Sequence, residues 1–527
     1  MSHNYIVSLL RILSDFVHSL SWPGTIGLAI AIACILPSIA RKRNVNIRNV
    51  PVHGYTSIFE PTFVLQWRFV LGARHIIASG YKKFKATPFI VRRFDTDYNI
   101  LPIRYLEEIR LVSPAILSSK IATTYNMLYE WTDLYFLKRS DLHTQVLKNK
   151  VAPELSNHLE KASDELDYGW QLDVPQHEDW VEVDIQEIAR MLVARMSARI
   201  FVGKPACRDP KWLRVCLDFT IDAFTTAFLL RMFPTGMRFI AAWFIPSRYR
   251  LKRHRAKAAS VVRDFMKRHK DLMRRKGEGE DVKNEETLLD WMFEKGDDEE
   301  TTVTEMANRQ LIMTLASVHT TSTNTATFLF ELCAHPEWVT VLRDEIEDVK
   351  RQTGDASKTD IKRWHRQLER MDSFLLECFR LHPPILLSPQ RVALQPYTLK
   401  DGVHIPKGCR IAFANAEHQM DPEVTADPHT FDPMRSYRKR HSASDQYDRN
   451  QAVLTDLNNN LTFGYGNQSC PGRFLGVAEI KMLLSRLILE FDFRYPEGKS
   501  MPQTLSADEN VFLDPRATLM MRKRKRS

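Results

Sequence analysis

Paired cysteines are missing from this sequence. Cys34, Cys207, Cys216, Cys333, Cys378, Cys409 and Cys470 are scattered over 527 residues, with no C-x-x-C spacing. That excludes a small disulfide framework and a structural zinc ribbon, and it points to a reducing compartment. Internal repeats and low-complexity linkers are also missing, so no second-domain boundary is visible after Asn44. No Gly-x-Gly-x-x-Gly follows a strand-like run, so the chain offers no dinucleotide fingerprint of its own. The net charge is +10, yet no aromatic-basic repeat accompanies it. This argues against nucleic acid and for a basic face toward an anionic membrane or an acidic protein. With 44% hydrophobic and 26% charged residues, the chain can bury a full core.

Long apolar runs are scarce too. Only Trp22 to Ala40 lacks charge over a length near the lower limit for a membrane span, and Arg41, Lys42 and Arg43 follow it. Ile6 to Leu20 is apolar but carries Arg11 and Asp15, as an interfacial amphipathic helix would. The pattern predicts residues 1–21 as a lumenal or interfacial segment, 22–40 as a transmembrane anchor, and 41–527 as a cytosolic catalytic body. A buried N-terminal helix is the alternative.

The body is organised around Phe463-Gly-Tyr-Gly-Asn-Gln-Ser-Cys470-Pro-Gly-Arg-Phe474. Gly466 and Gly472 permit backbone conformations closed to other residues, so the loop can wrap the cysteine sulfur. Pro471 suits a helix start, and Leu475, Ile480, Leu483, Leu484, Leu487 and Ile488 continue with helical spacing. The sulfur then sits at a helix N-terminus, where partial positive charge favours a thiolate. A lone cysteine is otherwise a small buried hydrophobe.

Phe463, Gly466, Cys470 and Gly472 match Phe-x-x-Gly-x-x-x-Cys-x-Gly, and on them the chain resembles the cytochrome P450 family. The resemblance implies a mainly α-helical fold with small β-sheets, and haem b bound through iron to Cys470. Gln468 departs from the family, standing where an arginine or histidine contacts a haem propionate.

Thr302-Val-Thr-Glu305 reads as a capping box for a helix running to His335, where Pro336 ends it. Its middle, Ala316-Ser-Val-His-Thr-Thr-Ser-Thr-Asn-Thr325, packs weak helix formers whose hydroxyls can bond to carbonyls one turn back, opening a groove. A polar face toward solvent is the plain alternative, but flanking Leu311, Ile312, Leu315, Phe328 and Leu329 favour burial. The stretch is similar to the family's Ala-Gly-x-(Asp/Glu)-Thr-Thr. On that resemblance Thr320 shapes the oxygen groove and relays protons, His319 replaces the acid, and Ser317 replaces the glycine. Imidazole can carry protons near neutral pH.

Glu377-Cys-Phe-Arg380, in a helix starting near Asp372, places acid and base on one face among apolar neighbours. With Arg435 it resembles the family's structural triad behind the haem. By the same resemblance Ile385 to Pro389 line the substrate pocket, and Arg391 meets a haem propionate. Lys148, in Asp141 to Lys148, is a weaker propionate candidate. Arg473 and Lys481 are candidates for docking an acidic partner.

Strands are expected near Phe89–Arg92, Tyr397–Leu399, Val403–Ile405 and Arg410–Ala414. Lys270 to Glu300 reads as an exposed loop, and Arg522 to Arg526 as a solvated basic tail.

The resemblance implies a monooxygenase that takes electrons from NADPH through a separate cytochrome P450 reductase, at the endoplasmic reticulum membrane. It would insert oxygen from O2 into a C–H bond of a hydrophobic small molecule. The Ala-Ser-Val-His-Thr-Thr-Ser variant and the Asn-Gln loop look like a fungal branch with kaurene-oxidase-like and indole-diterpene oxidases. That implies a terpenoid substrate in secondary metabolism. A haem-thiolate isomerase or dehydratase needing no reductase is one rival; a haem-free membrane-tethered binding protein is another.

Overall fold

The computed structural model describes residues 44–282, 285–353 and 361–525. The expected membrane anchor over 22–40 and the segment 1–21 lie outside the described residues. Among the described residues, no helix is long and apolar enough to cross a membrane.

The first long helix is α1 (Thr62–Lys83). It is followed by β1 (Phe89–Arg92), β2 (Asp97–Ile100), β3 (Leu117–Ser118), α2 (Ser119–Asn126) and α3 (Leu142–Val146), which runs on into a π-helical turn, Leu147–Val151. Three longer helices come next, α4 (Leu155–Asp173), α5 (Ile185–Phe201) and α6 (Pro210–Arg231), with the short strand β4 (Val181–Val183) between the first two. Then come α7 (Pro246–Gly277), α8 (Leu288–Lys295), α9 (Val303–Ala334), α10 (Glu337–Thr353) and α11 (Glu369–Leu381). Short strands β5 (Gln390–Ala393), β6 (Tyr397–Thr398), β7 (His404–Ile405) and β8 (Arg410–Ala412) lead to α12 (Arg435–Arg440) and α13 (Arg473–Glu490). The chain closes with β9 (Phe491–Arg494), β10 (Thr504–Ala507), β11 (Asn510–Leu513) and β12 (Leu519–Lys523).

Two bodies of packing result. Helices α4, α5, α9 and α13 pack on one another around Leu159, Ala189, Val193, Val318, Leu483 and Leu487, all essentially inaccessible. Each such leucine contributes about 2–3 kcal/mol of transfer free energy. The second body is a sheet in the order β1-β2-β8-β5-β3, with α1 against it. Within it β2 pairs parallel to β8, Asn99 opposite Ile411, and β5 pairs antiparallel to β8 and β3.

The expected strands occur within a residue or two of their predicted bounds. The stretch Lys270 to Glu300 does not behave as predicted. Its first residues complete α7, and Leu288–Lys295 forms α8, which buries Leu288, Leu289 and Met292. A capping box between Thr287 and Asp290 starts that helix. The basic tail is also partly structured: Arg522 and Lys523 belong to β12, and Arg522 pairs with Asp492.

Candidate active site

Cys470 is held by its own loop. Its N–H donates to Phe463 O at 2.8 Å, and Ser469 N–H to Gly466 O at 3.1 Å. Phe463 stacks edge-on against Phe379 of α11, with ring centroids 5.6 Å apart. The two tight positions are Gly464 and Gly466, both at φ +75°, and a Cβ on Gly466 would meet Arg110 O at 2.3 Å. Gly472, expected to need the same freedom, has φ −88° and acts as the cap of α13.

Burial raises the Cys470 thiol pKa, while the Gly472 and Arg473 N–H groups and the Arg473 charge lower it. Cys470 is nevertheless exposed, although chain surrounds it on most sides.

Helix α9 packs against α13, the helix that starts just after the cysteine. Its cap is half of the expected box: Glu305 N–H donates to Thr302 Oγ1 at 3.4 Å, but the Glu305 carboxylate pairs with Arg309 and Arg139. The back-bonded hydroxyls are present. Thr320 Oγ1 donates to Ala316 O at 2.8 Å, Thr325 to Thr321 O at 2.9 Å, and Thr327 to Thr323 O at 2.9 Å. Leu311 to Leu315 and Thr325 to Leu332 are buried, while Ala316 and Thr320, one turn apart, are exposed. The polar face is therefore open only at these two positions, with buried residues on either side along the helix. A Cβ on Gly476 of α13 would make an ordinary contact with Thr321 Oγ1 at 3.5 Å, so the two helices lie close together there.

His319 is turned away from this opening. Its Nε2 lies 3.2 Å from Leu217 O on α6, and burial lowers its pKa, so the neutral ring donates there. Ser317 points to α5, where its hydroxyl lies 2.6 Å from Ser197 Oγ; Ser197 in turn donates to Glu479 Oε1 at 3.0 Å. Sequence reasoning missed Ser197 and Glu479. The available signal was a single glutamate inside the apolar run of α13.

Arg391 is 3% exposed, and among the described residues no carboxylate pairs with it. Its Nη1 donates to Gln390 O at 2.8 Å and its Nη2 to Tyr465 O at 3.4 Å, which ties β5 to the cysteine loop. Desolvation lowers its pKa to about 10. A buried guanidinium without a carboxylate is a costly arrangement unless an anion completes it. Gln468 spends its amide otherwise: Nε2 donates to Leu117 O at 2.7 Å, and Oε1 accepts from Ser119 N–H at 2.8 Å. It ties the cysteine loop to the β3–α2 junction. Lys148 is exposed on the π turn, next to Leu147, which packs beside Gly472.

Behind the loop Glu377 accepts from Arg380 at 2.6 Å and pairs with Arg435 at 3.4 Å. The Asp432 N–H supplies another bond at 3.0 Å, and Arg380 and Arg435 also donate to carbonyls of residues 426–430. The triad is assembled with a nearly full set of partners.

Two expectations need correction. Lys481 is no docking residue: it is 4% exposed, pairs with Asp372 at 2.5 Å and donates to His365 O at 3.0 Å. Of the Ile385–Pro389 stretch, Leu386 and Leu387 face the core of the sheet body, and Ile385 and Ser388 retain surface.

A cysteine at a helix N-terminus, a helix with back-bonded threonines packed on that helix, and a buried guanidinium with no carboxylate partner among the described residues make up a donor set suited to a haem-thiolate group. These residues fit haem: the sulfur for iron, the guanidinium for a propionate. The chain belongs to the cytochrome P450 family, whose profile it matches over residues 118–521. It is 43% identical over 96% of each chain to a cytochrome P450 monooxygenase of Stachybotrys chlorohalonatus. It is 36% identical to an ent-kaurene oxidase of Gibberella fujikuroi, over 90% of this chain and 92% of that one. The fold matches cyanobacterial CYP120A1 with retinoic acid bound at a TM-score of 0.65 and 15% identity, covering 92% of this chain and all of that one. The chain is a cytochrome P450 monooxygenase, and its cofactor is a haem-thiolate iron.

Proposed function

We propose that this enzyme hydroxylates an apolar terpenoid in fungal secondary metabolism, with Cys470 as the axial ligand and NADPH–cytochrome P450 reductase as electron donor. The overall reaction balances as RH + O2 + NADPH + H+ giving ROH + H2O + NADP+. The observation that carries the site assignment is the Cys470 sulfur, which accepts from two backbone N–H groups at the start of α13 and keeps exposed surface. The substrate class rests on relatives, since the Gibberella protein is named for oxidising ent-kaurene.

The bound haem supplies electron storage and oxygen activation. The chain supplies the rest. The Gly472 and Arg473 N–H groups hold negative charge at sulfur, and Arg391 would hold a propionate, with Lys148 near the cysteine loop as a second cation. Thr320 sits at the opening of α9 with its hydroxyl one rotation away from releasing Ala316 O, so it can pass a proton to the space in front of it. His319, with Nε2–H on Leu217 O, keeps α6 in place over that space. Glu377, Arg380 and Arg435 keep the wall behind the loop rigid.

Membrane attachment through residues 22–40 at the endoplasmic reticulum, with the body cytosolic, belongs to the same reading. Exposed Phe239, Trp243 and Phe244 between α6 and α7 support it, because such a cluster suits a lipid surface.

The test is the ferrous–CO spectrum of wild type and Cys470→Ser, followed by turnover with reductase, NADPH and diterpenes. A thiolate-type band lost on substitution, and an oxygenated product requiring NADPH and O2, are expected. Turnover without either would establish an isomerase or dehydratase instead, and absence of haem a binding protein.

A further inference from the structure

The usual acid is missing from the α9 groove, since His319 occupies its place and is bonded to Leu217. An acid is present one layer behind. Glu479 of α13 is 0% exposed, and its Oε2 has no partner among the described residues. Burial raises its carboxyl to about 8, opposed only by the Ser197 hydroxyl, so it is protonated at neutral pH. The ionisable side chains of the elements packed round it are engaged elsewhere. On α5, Arg195 pairs with Asp173 and Arg190 with Glu187. On α4, Glu165 pairs with Arg208 and Asp167 with Arg486, and burial keeps His158 neutral. On α13 itself, Lys481 pairs with Asp372.

From Glu479 the contacts run in one direction. Ser197 Oγ stands 3.0 Å from Glu479 Oε1 and 2.6 Å from Ser317 Oγ. Ser317 is half-buried beside the open positions Ala316 and Thr320, and Thr320 Oγ1 lies 3.3 Å from Ser317 O. Thr320 thus meets the Ser317 carbonyl, whereas the Ser317 hydroxyl meets Ser197; of the three residues, this serine, which replaces a glycine in the family pattern, is the one that lies beside the exposed positions.

We propose that Glu479, Ser197 and Ser317 form a proton store for the α9 groove. A proton leaves the Glu479 carboxyl for the Ser197 oxygen as Ser197 passes its own to Ser317. Ser317 then turns its hydroxyl from Ser197 and passes its proton to a water beside Thr320, leaving the Glu479 carboxylate, and a proton returned from water by the reverse sequence refills it. Such an exchange suits hydroxyls, which both donate and accept. The proposal rests on the monooxygenase reading, because that reaction consumes protons at the groove.

The test uses the haem-loaded full chain. Reduced-minus-oxidised infrared difference spectra should show a protonated carboxyl C=O band that disappears in Glu479→Gln and shifts in Ser317→Gly and Ser197→Ala. With reductase and NADPH, the same variants should release at least twofold more hydrogen peroxide per NADPH than wild type. A band absent from wild type, or one unmoved by Ser317→Gly with unchanged peroxide release, overturns the store. Ser317→Gly keeps the test open should Glu479→Gln fail to fold. The ferrous–CO band separates the two readings: with it present and the carboxyl unresponsive, only the store fails; without it, the site assignment and the store fail together.

Discussion

Arg391 and Gln468 divide the work around the cysteine loop. Among the described residues the guanidinium is buried without a carboxylate, whereas the Gln468 amide is saturated by Leu117 and Ser119. Arg391→Ala should therefore lower haem content of the purified protein several-fold while leaving the melting temperature of the haem-free chain equal or higher. Gln468→Ala should do the opposite, keeping more haem but losing about 1–3 kcal/mol of stability for two orphaned backbone groups. Haem-to-protein ratios and melting curves separate the two. Glu479 carries a second consequence at this scale. Its folded pKa is raised, so the folded chain binds more protons than the unfolded chain between about pH 4.5 and about pH 8. Its contribution is therefore fully present below that window and is lost as pH rises through it. Glu479→Gln should gain on wild type across this window, on the order of 5 kcal/mol at its top, read as a widening gap in unfolding free energy.

The triad belongs to the scale of elements, because it joins α11 to α12 and to the carbonyls of residues 426–430. Removing the acid leaves Arg380, 5% exposed, without its carboxylate. Glu377→Gln should cost about 3–5 kcal/mol and yield mostly haem-free or insoluble protein; a soluble variant with a wild-type ferrous–CO band would refute this role. Legibility in the sequence also varied by element. The start and stop of α9 were readable because a capping threonine and Pro336 are local signals, and the cysteine loop was readable because its glycines and cysteine keep a fixed spacing. The helix α8 was hidden because Leu288, Leu289 and Met292 sit in a charged run whose surroundings mask their burial. Lys481 read as surface because its partner Asp372 lies on another helix, and no periodicity within α13 reveals that pairing. The same limit concealed Ser197, Ser317 and Glu479 as a set, since they come from three helices.

At the scale of the whole molecule, burial of titratable groups sets the response to acid. Burial lowers His143 and His158 to about 4 and His365 to about 3. Each stays neutral in the folded chain while the unfolded chain takes up a proton below pH 6.5, so the stability they permit is present above that value and lost as pH falls. Together they should remove about 4 kcal/mol per pH unit between roughly pH 6 and pH 4. A His143→Phe, His158→Leu, His365→Leu variant should show a flatter fall in melting temperature over that range than wild type. Topology adds a constraint of another kind. In the sheet, Asn99 of β2 donates to Arg410 O, 311 residues away, and Cys470 comes later still. At about 5–20 residues per second, β2 waits roughly 15–60 s on the ribosome for its neighbour. Through that interval the nascent chain carries an unpaired strand edge and lacks Cys470, the iron ligand proposed above; on that proposal the cofactor enters only a nearly finished polypeptide, and recovery of intact enzyme depends on what shields that edge during synthesis.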